Sequence, residues 1–290
     1  MSSFPRTRIG RFEVSRLVIG SNWFLGFSHQ SKAKDDFIKD RQDRRHIAEI
    51  VTVFAKAGVN ITLGTRPDAP HFNQAIEDAE QAAGVRIIRV GTPHLDIADT
   101  PQGYDNTARI LDSYAEVRTD ICMPHQCSTD ALVDRHTRTI RQMDKYCAMI
   151  RQRHMTPGLS THMPETPIYA DETNLDVETY IQIYNAIGFL MQIEVSWVNR
   201  MIWRCRKPVL TIKPLAAGRL EPIVGLGFAW ATIRQQDLVA VGCLTPDEAR
   251  EVIETSLAIL ERRAVNLELQ KSRSKASVEE ASPAAAVAAP

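Results

Sequence analysis

Three histidines and a lysine each stand just after a short apolar run: His94 in VGTPH, His125 in ICMPH, His162 in GLSTH and Lys213 in VLTIK. Glu194 ends a further run, FLMQIE. If the runs are parallel strands, all five side chains lie at strand C-termini, where ligands collect in α/β proteins. Imidazole and carboxylate are the ligands of catalytic divalent metals. A first reading therefore makes His94, His125, His162 and Glu194 a site for Zn²⁺, Mn²⁺ or Fe²⁺, with Asp96 as a substitute ligand. A second needs no metal. His125 is a general acid or base, and Lys213 stabilises an enolate or oxyanion or forms a Schiff base. Glu194 is then the partner of Lys213. Arg66 and Arg219 would hold a carboxylate or phosphate. Asn22 and Trp23, after the first strand, would wall the pocket together with Phe24 and Phe27.

The spacing of apolar residues supplies the scaffold. After a small hairpin around Ile9–Arg11, eight strand-then-helix units follow. Strands are expected at 16–20, 59–63, 85–90, 120–123, 157–160, 189–194, 208–212 and 238–241. Helices are expected between them, including 137–153 and 175–186. Eight such units in about 250 residues predict a (β/α)₈ TIM barrel with an N-terminal β-hairpin. No GxGxxG follows the first strand, which disfavours an open dinucleotide-binding sheet. Thr245-Pro246-Asp247-Glu248 is a capping box that starts the last helix. One domain over 1–265 is expected, then a polar, Ala/Pro-rich disordered tail over 266–290.

Thirty-five basic residues balance 35 acidic ones, so no charge excess points to nucleic acid or an anionic membrane. The five cysteines include no CxxC pair, as expected for reduced thiols in a cytoplasmic protein. No apolar run is long enough to span a bilayer. The expected partner is a small molecule, and a homo-oligomer stays open.

Four segments resemble the aldo-keto reductases: RFEVSRLVIGSNWFLG, QIEVSWVNR, KPLAAGRL and LVAVGCLTPDEAREVIETSL. The resemblance runs in order over roughly residues 6–262 and implies the same barrel. It implies NADP(H) as cofactor, with Gln192, Ser160 and Thr161 on the nicotinamide amide. It also implies that the reductase tetrad is degenerate. Leu63 stands at the Asp position, and the Tyr position falls near Asp68. No lysine occurs between Lys56 and Lys145. Only His125 has a counterpart.

Three functions follow. The first is a metal-assisted lyase, isomerase or hydrolase acting on a small polar carbonyl or sugar-like substrate. The second is an NADP(H)-dependent oxidoreductase with altered catalytic residues. The third is a non-catalytic barrel used for binding or assembly.

Overall fold

A computed structural model of the chain describes residues 4–270 together with 272, 274, 275 and 278. The strands are β1 Arg6–Ile9, β2 Phe12–Ser15, β3 Leu17–Gly20, β4 Ile61–Thr65, β5 Ile88–Gly91, β6 Ile121–Cys122, β7 Val133–Asp134, β8 Thr139–Ile140, β9 Thr156–Pro157, β10 Leu159–Ser160, β11 Tyr180–Ile183, β12 Val209–Ile212 and β13 Leu238–Val241. The helices are α1 Asn22–Leu25, α2 Lys32–Arg41, α3 Arg44–Lys56, α4 Pro70–Ala83, α5 Pro101–Glu116, α6 Gln126–Thr129, α7 Met143–Gln152, α8 Glu165–Glu172, α9 Val195–Arg204, α10 Pro222–Thr232 and α11 Pro246–Glu261.

The ring runs β3-β4-β5-β6-β9 and β10-β11-β12-β13, with β13 parallel to β3. β9 and β10 are two halves of one fifth strand, paired to β6 and to β11. Gly158 separates them where a Cβ would come within 2.8 Å of Thr179 O. The fold is thus the expected (β/α)₈ barrel. The hairpin β1–β2 closes its lower end, its Ile9, Phe12 and Val14 packing on the barrel interior.

Period-two alternation divides each strand between two cores. Val18, Ile61, Val90, Ile121, Ile181, Leu210 and Leu238 fill the barrel. Leu17, Ile19, Tyr180, Val209 and Val239 face the helices. Each fully buried aliphatic side chain contributes about 1.5–3 kcal/mol. α11 begins as its capping box requires: Thr245 Oγ1 accepts from Glu248 N (3.1 Å), and Glu248 accepts from Leu244 N (2.7 Å).

Two stretches differ from the sequence expectation. The sixth strand is Tyr180–Ile183, inside the segment expected to be helical, and the helix before it is Glu165–Glu172. Residues 189–194 are not a strand. Asn185, fully buried, accepts from Phe189 N (2.8 Å) and donates to Phe189 O (3.0 Å). That clasp turns the chain directly after β11, and Glu194 becomes the residue before α9. The expected helix 137–153 begins instead as the antiparallel pair β7–β8, and α7 starts at Met143.

Residues 266–270 carry no regular structure. Most of the tail expected over 266–290 lies outside the described residues. Among the described residues no helix is long and apolar enough to cross a membrane.

Candidate active site

The loops after β5 and β6 build one wall of the barrel mouth. His125 N donates to Pro93 O (2.8 Å), and Leu95 N donates to Ser128 Oγ (2.9 Å). These bonds lock the loops together and stack His94 on His125, with ring centroids 4.1 Å apart and planes 22° apart. His125 also precedes α6, whose Cys127 N–H donates to His125 Nδ1 (3.3 Å). In the neutral ring the proton therefore sits on Nε2. Burial, then the His94, Arg66 and Lys213 charges, push His125 down to about 4. At neutral pH it is an uncharged hydrogen-bond donor.

His162 follows β10. Its backbone N–H donates to Asp130 (3.0 Å), and the same carboxylate accepts from the Thr161 hydroxyl. Burial, then Lys213, His125 and His29, hold His162 down at about 4. Burial raises Asp130 itself. Thr161 is spent on this brace and on the Met163 carbonyl and Thr166 hydroxyl. Ser160 is buried beside it.

Lys213 directly follows β12, and burial pushes its amine down to about 8. Its Nζ lies 2.9 Å from His29 Nε2, and Asn22 Nδ2 lies 3.1 Å from the same nitrogen. His29, from the loop after β3, is lowered by burial and then by Lys213, with Asp35 acting the other way. A cavity of about 420 Å³ is lined by this pair, by Trp23, Phe27 and Leu220, and by Glu248 and Glu251 on α11.

The expected metal set does not assemble. Glu194 and Gln192 are exposed in the loop before α9, because the strand assigned to them ends at Ile183. The glutamine on the sixth strand is Gln182, which is buried and donates to His162 O (3.4 Å). Asp96 accepts from Asn106 (2.8 Å) and Ala98 N (3.1 Å), tying its own loop. Among the described residues one group of three has ligand atoms within metal-binding reach: His94, His125 and Cys127. Its rings are stacked face to face, whereas a shared ion would need their in-plane lone pairs to converge. His125 Nδ1 is already an acceptor, and Arg66 and Lys213 add positive charge nearby.

Arg66 faces the mouth but is paired in a fork with Asp68, one arm at 2.6 Å. Arg219 stacks on Phe189, 4.1 Å from the ring centroid, and donates to Ala216 O. It supports the β12–α10 loop. Asn22 and Trp23 line the cavity as expected.

Sequence reasoning missed His29, Asp130 and Gln182. His29 lies in a polar loop with no periodic pattern, so nothing local marks it. The alternation YIQIY could have shown that Gln182 stands on a strand.

The fold has known counterparts. An aldo-keto reductase from Pseudomonas aeruginosa is similar over 88% of this chain and 94% of its own, with a TM-score of 0.63 and 15% identity. The glycerol dehydrogenase of Gluconobacter oxydans aligns over 92% of this chain and 98% of its own, with a TM-score of 0.53 and 13% identity. Orotidine 5′-monophosphate decarboxylase from Methanocaldococcus jannaschii aligns over 83% and 98%, with a TM-score of 0.50 and 14% identity. The chain has an aldo-keto-reductase-like barrel fold, and at these identities the similarity reaches no further than the fold. No protein-family profile and no curated protein sequence matches it.

Proposed function

We propose that the protein is an enzyme that binds a small anionic carbonyl compound, such as a 2-oxo acid, in the barrel mouth and performs non-redox chemistry beside the carbonyl. One observation carries this reading. The groups that act on the His125 and His162 rings are His94, His29, Arg66 and Lys213, all imidazole or cationic, while the nearby carboxylates Asp130 and Asp68 are engaged by the His162 backbone and Thr161 and by Arg66. Such a site attracts an anion and repels a metal cation. The imidazole and cationic surroundings draw in the carboxylate, and the His125 Nε2–H supplies a neutral donor for the carbonyl oxygen beside Lys213. Charge developing on that oxygen is what preorganised donors in a partly dry site stabilise best. This keeps the lyase or isomerase class read from the sequence but drops the metal.

Calorimetry with glyoxylate and pyruvate, and deuterium exchange at the pyruvate methyl group in D₂O, test the reading. The acids should bind more tightly than acetone, more weakly at high salt, and exchange should exceed the buffer rate. No preference for the acids would overturn it.

The aldo-keto-reductase-like barrel favours one alternative, a nicotinamide oxidoreductase. The cavity residues do not suit NADP(H). Lys213 is the only lysine or arginine that lines the cavity among the described residues, and Glu248 and Glu251 line it too. A 2′-phosphate bound near them would meet two carboxylates. β12 ends in Ile212, followed by Lys213, with no aromatic residue to stack on a nicotinamide. NADPH quenching of the four tryptophans at micromolar concentration would favour this alternative.

A further inference from the structure

We infer that Lys213 forms a covalent imine with the carbonyl carbon of a small 2-oxo acid, and that His29 is the positioning residue that prepares the amine. The inference rests on the functional reading above and deepens it.

The geometry of the pair is the first ground. His29 Nε2 is met by two nitrogens that carry hydrogens, Lys213 Nζ at 2.9 Å and Asn22 Nδ2 at 3.1 Å. That arrangement makes the ring nitrogen an unprotonated acceptor. Among the described residues Lys213 makes no salt bridge within 4 Å, whereas most lysines and arginines near a carboxylate here do. A lysine facing an imidazole instead of a carboxylate has nothing nearby that fixes its charge. Burial acts in the same direction on the amine.

The backbone is the second ground. Lys213, Ala216 and Ala217 all have positive φ, at 61°, 48° and 57°. Each such non-glycine residue is strained, and persists only where the surroundings fix it. The surroundings do fix it. Ala216 N donates to Lys213 O (2.9 Å), Arg219 donates to Ala216 O (3.1 Å), and Gln30 donates to Ala217 O (2.5 Å). Gln30 is the neighbour of His29. The loop that carries His29 is therefore bolted to the turn that carries Lys213, and the two side chains are held in register.

The chemistry balances without any added oxidant or reductant. The lysine ammonium gives a proton to His29. The amine lone pair forms a bond to the carbonyl carbon, the carbonyl electrons move to oxygen, and that oxygen takes a proton from the newly bonded nitrogen, which gives the neutral carbinolamine. The carbon–oxygen bond of the resulting carbinolamine then breaks and water leaves, carrying the proton that His29 held. The nitrogen lone pair becomes the C=N bond. The groups that face the pair and set its pH response are His125, His162 and Asp35, with Glu248 and Glu251 in the lining of the same cavity.

The test is reductive trapping of the full chain with glyoxylate and cyanoborohydride, mapped by peptide mass spectrometry, beside glyoxylate calorimetry. The expected result is a dominant carboxymethyl adduct on Lys213 that Lys213→Arg abolishes. Lys213→Met serves equally if the arginine variant fails to fold. His29→Ala should slow trapping at pH 7 roughly tenfold to a hundredfold, move its alkaline limb upward, and recover in part with added imidazole. Glyoxylate binding without an adduct, or with adducts spread over surface lysines, overturns the imine and leaves the anion site standing. Neither binding nor adduct overturns both.

Discussion

The Lys213 ammonium nitrogen rests 2.9 Å from His29 Nε2, across the gap between the loops that follow β12 and β3. Burial destabilises this amine as a cation. Its folded pKa is about 8, against an ordinary 10.5. Between those values the unfolded chain binds more protons, so stability should rise with pH from about 8 to 10.5. Below about 8 the full penalty applies, on the order of 3 kcal/mol. Lys213→Met should therefore raise the melting temperature at pH 7 by several degrees, and by much less at pH 10.5. Thermal melts over that range check it.

His125 and His162 carry the opposite limb. Both are held at about 4 in the folded chain and return to about 6.5 when it unfolds. As pH falls from 6.5 towards 4 the unfolded state gains protons first, and stability should drop. A double variant, His125→Gln with His162→Gln, should flatten that drop. Urea melts between pH 4 and 7 measure it.

Metal removal should change nothing. The mouth has Arg66 and Lys213 facing its imidazoles, and Asp68 and Asp96 are already engaged. Protein purified in EDTA should keep its melting temperature and its glyoxylate affinity. Loss of either on chelation, with recovery on adding Zn²⁺, would restore the metal reading through His94, His125 and Cys127.

Asn185 sets the end of β11 through its two bonds to Phe189. Asn185→Ala leaves both backbone groups of Phe189 without that partner. The cost should be about 2 kcal/mol, seen as a lower urea midpoint with an unchanged m-value. An unchanged midpoint would mean that the 186–194 loop turns for another reason.

The barrel was legible because its signal is repeated eight times. Caps such as Thr245–Glu248 and alternations such as LVIG and LVAV each point the same way. The sixth unit was misread for a physical reason. LDVETYIQIYNA has apolar residues that suit either period, and Gly188 looked like the end of a helix. The following FLMQIE is as apolar as a strand, but the Asn185 clasp on Phe189 turns the chain before it, and no apolar pattern marks that bond. With it went Gln192 and Glu194. His125, His162 and Lys213 were found because a strand end is a local feature. Their meaning was not, since the imidazole and cationic groups that face them depend on which loops meet across the mouth. His29 is nine positions beyond the strand, and its pairing with Lys213 spans 184 residues.

The account turns on one amine. Lysine methylene NMR of ¹³C-labelled protein, with the Lys213 signal assigned by its loss in Lys213→Arg, reads that amine's titration directly. The predicted midpoint is about 8. A midpoint at the ordinary lysine value of 10.5 would contradict the account, for Lys213 would then be a fixed cation throughout the pH range in which the protein works.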